Sequence, residues 1–209
     1  MRVTVSMPCF GRPKRTIRAI ESLFSQNING WEALVVGDGC PVIADFINSG
    51  TFEAAAEGAL KNGNRFEMTN LDKNYGGCGY YITNMNIHRA VGAYFVFLDN
   101  DDVILPNHLD NYLSGIEGTN YDFVYYDSYV EPYGGARISN LSNGHIGHSE
   151  LIIRTDYLRL MPAHTNVYGH DWSLVENMIV AGAKSQKAVN KPQTYIVKSV
   201  PVKKEEGFD

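Results

Sequence analysis

The chain has 209 residues, 44% of them hydrophobic, and a formal net charge of −5. That length suits one α/β domain, and the apolar content is enough for a core of its own. The acidic balance excludes a global positive field for nucleic acid, so an anionic ligand must be met locally by a metal, helix N-termini or a few Arg and Lys.

The elements alternate. Arg2–Met7 is an apolar strand, and Pro13 stands where a helix can begin, with Ile17, Ile20, Leu23 and Phe24 at helical spacing up to Phe24. Trp31–Val36 is a second strand ending in Gly37-Asp38-Gly39, Phe52–Leu60 an Ala-rich helix, and Arg65–Thr69 a weaker strand. Gly76-Gly77 makes a turn before a helix over Tyr80–Val91. Tyr94–Leu98 is the fourth strand and Pro106–Ile116 a further helix. Strand and helix in alternation at these lengths predict βαβ units and a parallel sheet. Later come a strand at Tyr121–Tyr126, a looser region from Tyr133 to Gly147, a strand at Leu151–Ile153 and a short helix at Thr155–Leu160. An amphipathic helix over His170–Ala181 is expected to turn Trp172, Val175, Met178 and Ile179 inward. The tail Pro201–Asp209 is charged and is expected to fray. The first half (1–104) reads as a nucleotide-binding sheet and the second (105–209) as an acceptor-binding portion of the same domain.

Three cysteines, Cys9, Cys40 and Cys78, are odd in number and lack C-x-x-C spacing. This argues against a disulfide framework or zinc site and for a reducing, cytoplasmic compartment. Met1 leads almost directly into strand-like sequence, so no signal peptide is expected. No apolar run approaches the roughly 20 residues of a membrane span.

The apolar run ending at Leu98 passes straight into Asp99-Asn100-Asp101-Asp102. Carboxylates just past the C-terminal end of a parallel strand lie where open α/β sheets bind ligands. Asp99 and Asp101 are two apart, so a turn can aim both at one point, and two hard oxygen donors suit Mg²⁺ or Mn²⁺. The plainer alternative is a solvated acidic loop leading into the next helix. Three more segments follow strands and would share that edge: Pro8-Cys-Phe10-Gly-Arg12, Gly37-Asp38-Gly39 and Asn74-Tyr-Gly-Gly77. Phe10 can stack on a base, Asp38 can accept hydrogen bonds from a base or ribose edge, and Arg12 can pair with phosphate. Core packing for Phe10 and a turn role for Asp38 are the competing readings.

In this order the segments resemble family 2 glycosyltransferases of the GT-A fold. Pro8-Cys-Phe-Gly-Arg12 stands for the family's P-x-Y-N-R-like turn. Val35-Val-Gly-Asp38-Gly stands for V-V-D-D-G. Asn74-Tyr-Gly is the N-x-G turn, and Ala90-Val-Gly-Ala-Tyr-Phe-Val-Phe-Leu-Asp99-Asn-Asp101-Asp102 is the D-x-D strand. His170-Asp171-Trp172 is the E-D-W-like helix start. The likeness runs from about residue 2 to about residue 197. It implies a sheet flanked by helices, a nucleotide-diphosphate-sugar donor (UDP by default), and a glycan or lipid-linked acceptor. It further implies that Pro8, Phe10, Arg12, Asp38, Asn74, Gly77, Asp99 and Asn100 hold the donor. Asp101 and Asp99 would ligate Mn²⁺ or Mg²⁺, with His148 as a further candidate ligand. Asp171 would be the general base of an inverting transfer, with His170 and Trp172 at the acceptor. A lipid-borne acceptor would bring a cytoplasmic enzyme to the inner face of the membrane.

The departures are Gly11 for the asparagine after the aromatic, Gly37 for the first aspartate of D-D-G, Thr83 for an arginine, and His170 for the glutamate before the base. Two other readings fit the residues. Asp99-Asn-Asp101-Asp102-Val also matches D-x-D-x-[TV] of haloacid dehalogenase-like phosphatases, where the first aspartate is the nucleophile. The substitutions also fit a nucleotide-sugar-binding module without turnover.

Overall fold

The computed structural model describes residues 1–130, 135–164, 169–188 and 194–196. The elements are β1 (Val3–Cys9), α1 (Pro13–Phe24), β2 (Trp31–Gly37), α2 (Pro41–Ser49), α3 (Glu53–Lys61), β3 (Arg65–Asn70), α4 (Tyr80–Arg89), β4 (Tyr94–Phe97) and β5 (Val103–Ile104). There follow α5 (His108–Ile116), β6 (Phe123–Tyr125), β7 (Ser128–Val130), β8 (Gly135–Arg137), β9 (Leu151–Arg154), α6 (Thr155–Leu158), α7 (His170–Val180), β10 (Ser185–Lys187) and β11 (Thr194–Ile196). The predicted tail at Pro201–Asp209 lies outside the described residues.

Seven strands form one sheet in the order β10-β6-β9-β4-β1-β2-β3. Strands β4, β1, β2 and β3 are mutually parallel, so their C-terminal ends share one edge. The sheet is not wholly parallel as its first half predicts: β9 runs antiparallel between β4 and β6. It can do so because the long excursion after β6 re-enters the sheet at the edge it left, with Tyr125 at the end of β6 pairing Leu151 at the start of β9. That excursion also forms part of a second sheet, β5-β11-β7-β8, which periodicity does not reveal because its strands are two or three residues long. Helix α2 is likewise unannounced: it is short, opens at Pro41 and buries Val42 and Ile43.

Every residue of β2 is buried, as expected of a central strand covered on both faces. Alternation sorts the core into two layers. Val96, Leu98, Val124 and Ile152 join the cluster under α1 and α5, whereas Phe95, Phe97, Phe123, Leu151 and Ile153 join the cluster under α7. Helix α7 buries Leu174, Val175 and Met178, with Trp172 packed alongside. The expected Ile179 instead stands 42% exposed, because the helix is rotated so that Leu174 takes the inward position.

One buried charge ties the parallel strands together. Glu32 is fully buried in β2, and its carboxylate accepts hydrogen bonds from the Thr4 hydroxyl and the Val91 and Gly92 N–H groups, and meets Arg65 at 3.2 Å. A Cβ at Gly92 would fall 2.4 Å from the Thr4 nitrogen. That close approach lets the α4–β4 turn lie against β1 and sets where β4 and its trailing aspartates emerge.

Candidate active site

The C-terminal edge of the sheet opens into a cleft of about 720 Å³. Pro8, Phe10, Arg12, Asp38, Asn74, Asp99, Asn100 and Asp101 line one side, and His148, His170, Asp171 and Trp172 also line it. Gly77 stands between two lining residues, Gly76 and Cys78, and is not itself among them. His145, in the same histidine-bearing loop as His148, sits on an exposed turn with its Nδ1 3.2 Å from the Ser142 hydroxyl.

The first strand leaves the sheet through two successive left-handed residues, Gly11 (φ 62°) and Arg12 (φ 53°), before Pro13 opens α1. A non-glycine residue there costs on the order of 1 kcal/mol. The turn lifts Phe10 into the cleft with its ring 53% exposed. Asn100 is buried, and its amide donates to the Thr16 hydroxyl (3.0 Å) and the Phe10 carbonyl (3.3 Å). It thereby fixes the aromatic turn against the aspartate loop.

Asp38 is buried, and its two oxygens accept the N–H groups of Tyr75 (2.8 Å) and Gly76 (2.9 Å). Glycine at 39 is required for this docking: φ is +58°, and a Cβ would fall 2.4 Å from the Lys73 carbonyl carbon. The departure at Gly37 has a compensating partner. A Cβ there would lie 2.2 Å from Asn70 Oδ1, which accepts the Cys40 N–H. A side chain at 37 and this Asn70 cap cannot coexist.

Asp99 is exposed and Asp101 half-buried. The Asp101 carboxylate lies 2.5 Å from the Arg12 guanidinium and 3.7 Å from that of Arg15. The position therefore attracts positive charge, and its donors are hard oxygens, so the residues fit Mg²⁺ or Mn²⁺. Thr83 lines the cleft where an arginine was expected. Arg137, which no sequence signal singled out, also lines it and pairs with the buried Glu150 at 3.4 Å.

Asp171 is the second residue of α7, after the left-handed Gly169 (φ 87°). Its Oδ1 lies 3.2 Å from His148 Nδ1 and 3.2 Å from His170 Nε2. His148 stacks on Phe97 with ring centroids 4.4 Å apart, and His164, absent from the sequence reading, stands 5.0 Å from His148. Burial lowers the imidazole of His148 to about 4 and that of His164 to about 3, so both are neutral near pH 7. His164 is held through its backbone by Asn84 of α4, which accepts its N–H at 2.8 Å and donates to its carbonyl at 2.9 Å.

Comparison with known proteins settles the lineage. The family described as "Glycosyl transferase family 2" matches residues 4–179. The chain belongs to glycosyltransferase family 2. A putative colanic acid biosynthesis glycosyl transferase, WcaA of Escherichia coli K12, is 29% identical over 130 residues, 61% of this chain and 43% of that protein. An uncharacterized glycosyltransferase of Rickettsia bellii is 29% identical over 123 residues, 58% of this chain and 16% of that one. Among solved structures, S. aureus TarS 1-349 in complex with UDP-GlcNAc superposes with a TM-score of 0.75 at 18% identity, covering 95% of this chain and 59% of that chain. The mannosyltransferase PcManGT of Pyrobaculum calidifontis, in complex with GDP-Man and Mn²⁺, gives 0.68 at 18% identity, covering 98% and 58%. The chain thus spans less than half of the first curated relative and about three-fifths of these structural neighbours. The fold is the GT-A fold of these neighbours. As a family 2 domain the chain carries its D-x-D after the fourth strand of the sequence, which removes the basis of the phosphatase reading. Among the described residues no helix is long and apolar enough to cross a membrane.

Proposed function

We propose that this chain transfers a sugar from a nucleotide-diphosphate sugar to a hydroxyl of a glycan or lipid-linked acceptor, with metal dependence and inversion at the anomeric carbon. The observation that carries this reading is one cleft lined by both the D-x-D carboxylates and Asp171. In it, the exposed Phe10 ring stacks on the base, and Asp38 holds the Asn74–Gly76 turn over the donor while offering its remaining lone pairs. Arg12 and Arg15 supply positive charge beside the diphosphate. Asp171 takes the proton of the acceptor hydroxyl as that oxygen attacks the anomeric carbon from the face opposite the diphosphate. The bond to the diphosphate breaks, and the nucleoside diphosphate leaves with the electron pair. Mn²⁺ or Mg²⁺ bound by Asp101, with Asp99, would neutralise charge developing on that leaving group. Trp172 offers a half-buried ring for the acceptor. TarS and PcManGT, whose complexes carry UDP-GlcNAc and GDP-Man, bring both UDP and GDP into the donor set to be tried.

A screen of UDP- and GDP-sugars against oligosaccharide and lipid-linked acceptors, read by mass spectrometry, tests this. One donor is expected to be consumed with release of its nucleoside diphosphate. Donor binding without turnover against every acceptor would instead support a binding module.

A further inference from the structure

We propose that His148 and His170 are positioning residues for Asp171: each gives a ring N–H to its Oδ1, which leaves Oδ2 as the oxygen that receives the acceptor proton. This rests on the reading of Asp171 as the base.

The two rings come from separate elements, a 3-10 turn before β9 and the first residue of α7, yet both reach the same oxygen at 3.2 Å. They lie nearly parallel, 20° apart with centroids separated by 5.0 Å. Phe97 beneath His148 fixes that ring's plane. A neutral imidazole has one N–H. The nitrogens turned away from Asp171, His148 Nε2 and His170 Nδ1, are buried without a hydrogen-bond partner among the described residues. An unpartnered N–H is a costly thing to bury, and a carboxylate oxygen stands ready on the other side. Hence the protons sit on His148 Nδ1 and His170 Nε2. Two ring nitrogens at one oxygen would also hold the orientation of the carboxylate.

The space around the other oxygen agrees. A Cβ added at Gly147 would stand 3.6 Å from Asp171 Oδ2, so the glycine keeps that approach free of a side chain. The same three donor atoms lie within 4.8 Å of one another and could in principle clasp a metal ion. A metal-bound imidazole, however, carries its N–H on the far nitrogen and normally donates it to an acceptor. The far nitrogens here have none among the described residues.

The test uses amide mimics. Asparagine can place an N–H near the position of Nδ1, and glutamine near that of Nε2. His148→Leu and His170→Leu are expected to lower kcat about 10–100-fold with donor KM unchanged. His148→Asn and His170→Gln are expected to recover most of that loss. Nitrogen-15 NMR of the wild type should show the Nδ1–H tautomer at His148 and Nε2–H at His170, and both signals should shift in Asp171→Ala. The opposite tautomers would overturn the proposal. So would equal kcat losses in the leucine and amide variants, or Co²⁺ absorption bands that need this pair in an Asp99→Ala/Asp101→Ala background. Full turnover in Asp171→Asn would remove the base reading alone, because the tautomers are read without turnover.

Discussion

Asp171→Asn is expected to cut sugar transfer by about 10²–10⁴-fold while leaving donor binding unchanged. The substitution preserves shape, and an amide oxygen can still accept the N–H groups of His148 and His170. It removes the negative charge and puts an NH2 group in place of Oδ2, the oxygen proposed to take the acceptor proton. The loss should therefore appear in kcat, and nucleotide affinity should match the wild type, because the proposed donor contacts at Phe10, Asp38 and Asp101 are untouched. Steady-state kinetics with calorimetry on the same preparation separates the two quantities. Wild-type turnover in Asp171→Asn would show that another group accepts the proton.

Acidification is expected to weaken the fold well above the pH at which most carboxylates titrate. His148 and His164 sit near 4 and 3 in the folded chain, lowered chiefly by burial, against about 6.5 when unfolded. Below pH 6.5 the unfolded chain therefore binds more protons, and stability falls with pH until the folded imidazoles themselves titrate. Two such groups give roughly 3–4 kcal/mol of lost stability between pH 7 and pH 5. Glu150 acts the other way, since burial raises its carboxyl and the folded state takes up that proton earlier. A His164→Phe variant isolates one contribution. Neither ring nitrogen of His164 has a hydrogen-bond partner among the described residues, so phenylalanine leaves no donor stranded. Urea unfolding at pH 5, 6 and 7 should show the slope flattened by about 1 kcal/mol per pH unit in this variant. Parallel profiles for the variant and wild type would mean that His164 is not held neutral.

That Pro8–Arg12, Asp38, Asn74 and Asp99–Asp101 share one cleft was legible because each piece follows a strand of a parallel sheet. A strand that ends in Asp99-Asn-Asp101, or in Gly37-Asp38-Gly39, announces its position at the C-terminal edge by chain order alone. Asp171 as a candidate base was legible only through the family likeness at His170-Asp171-Trp172, since nothing local distinguishes an aspartate in the first turn of a helix. The strand at Leu151–Ile153 was legible as β9, but its antiparallel direction was not, and the small second sheet was not legible because strands of two or three residues carry no period. His164 and Arg137 were missed for a different reason: one sits on a loop and the other ends the three-residue strand β8, and their partners lie elsewhere in the sequence. His148 was singled out for a metal, and its Nδ1 lies 3.2 Å from Asp171 Oδ1. Asn100 was expected at the donor, and its amide is tied to the Phe10 turn. Both residues line the cleft, and which groups their polar atoms meet is a property of packing.

The departures from the family pattern are partly compensated. Asn70 fills the space over Gly37, and Asn84, next to the missing arginine, anchors His164. Arg137 brings a guanidinium to the cleft from β8. These substitutions alter how the cleft is braced and leave Asp101 and Asp171 in it.

A metal-dependent nucleotide site at Asp101 is tested most directly by calorimetric titration of UDP, GDP and CDP, with and without Mn²⁺. The wild type is expected to bind one nucleotide tightly only when Mn²⁺ is present, and Asp101→Ala to bind it roughly 100-fold more weakly. Binding of none of the three under metal, or binding that neither metal removal nor Asp101→Ala alters, would contradict the account.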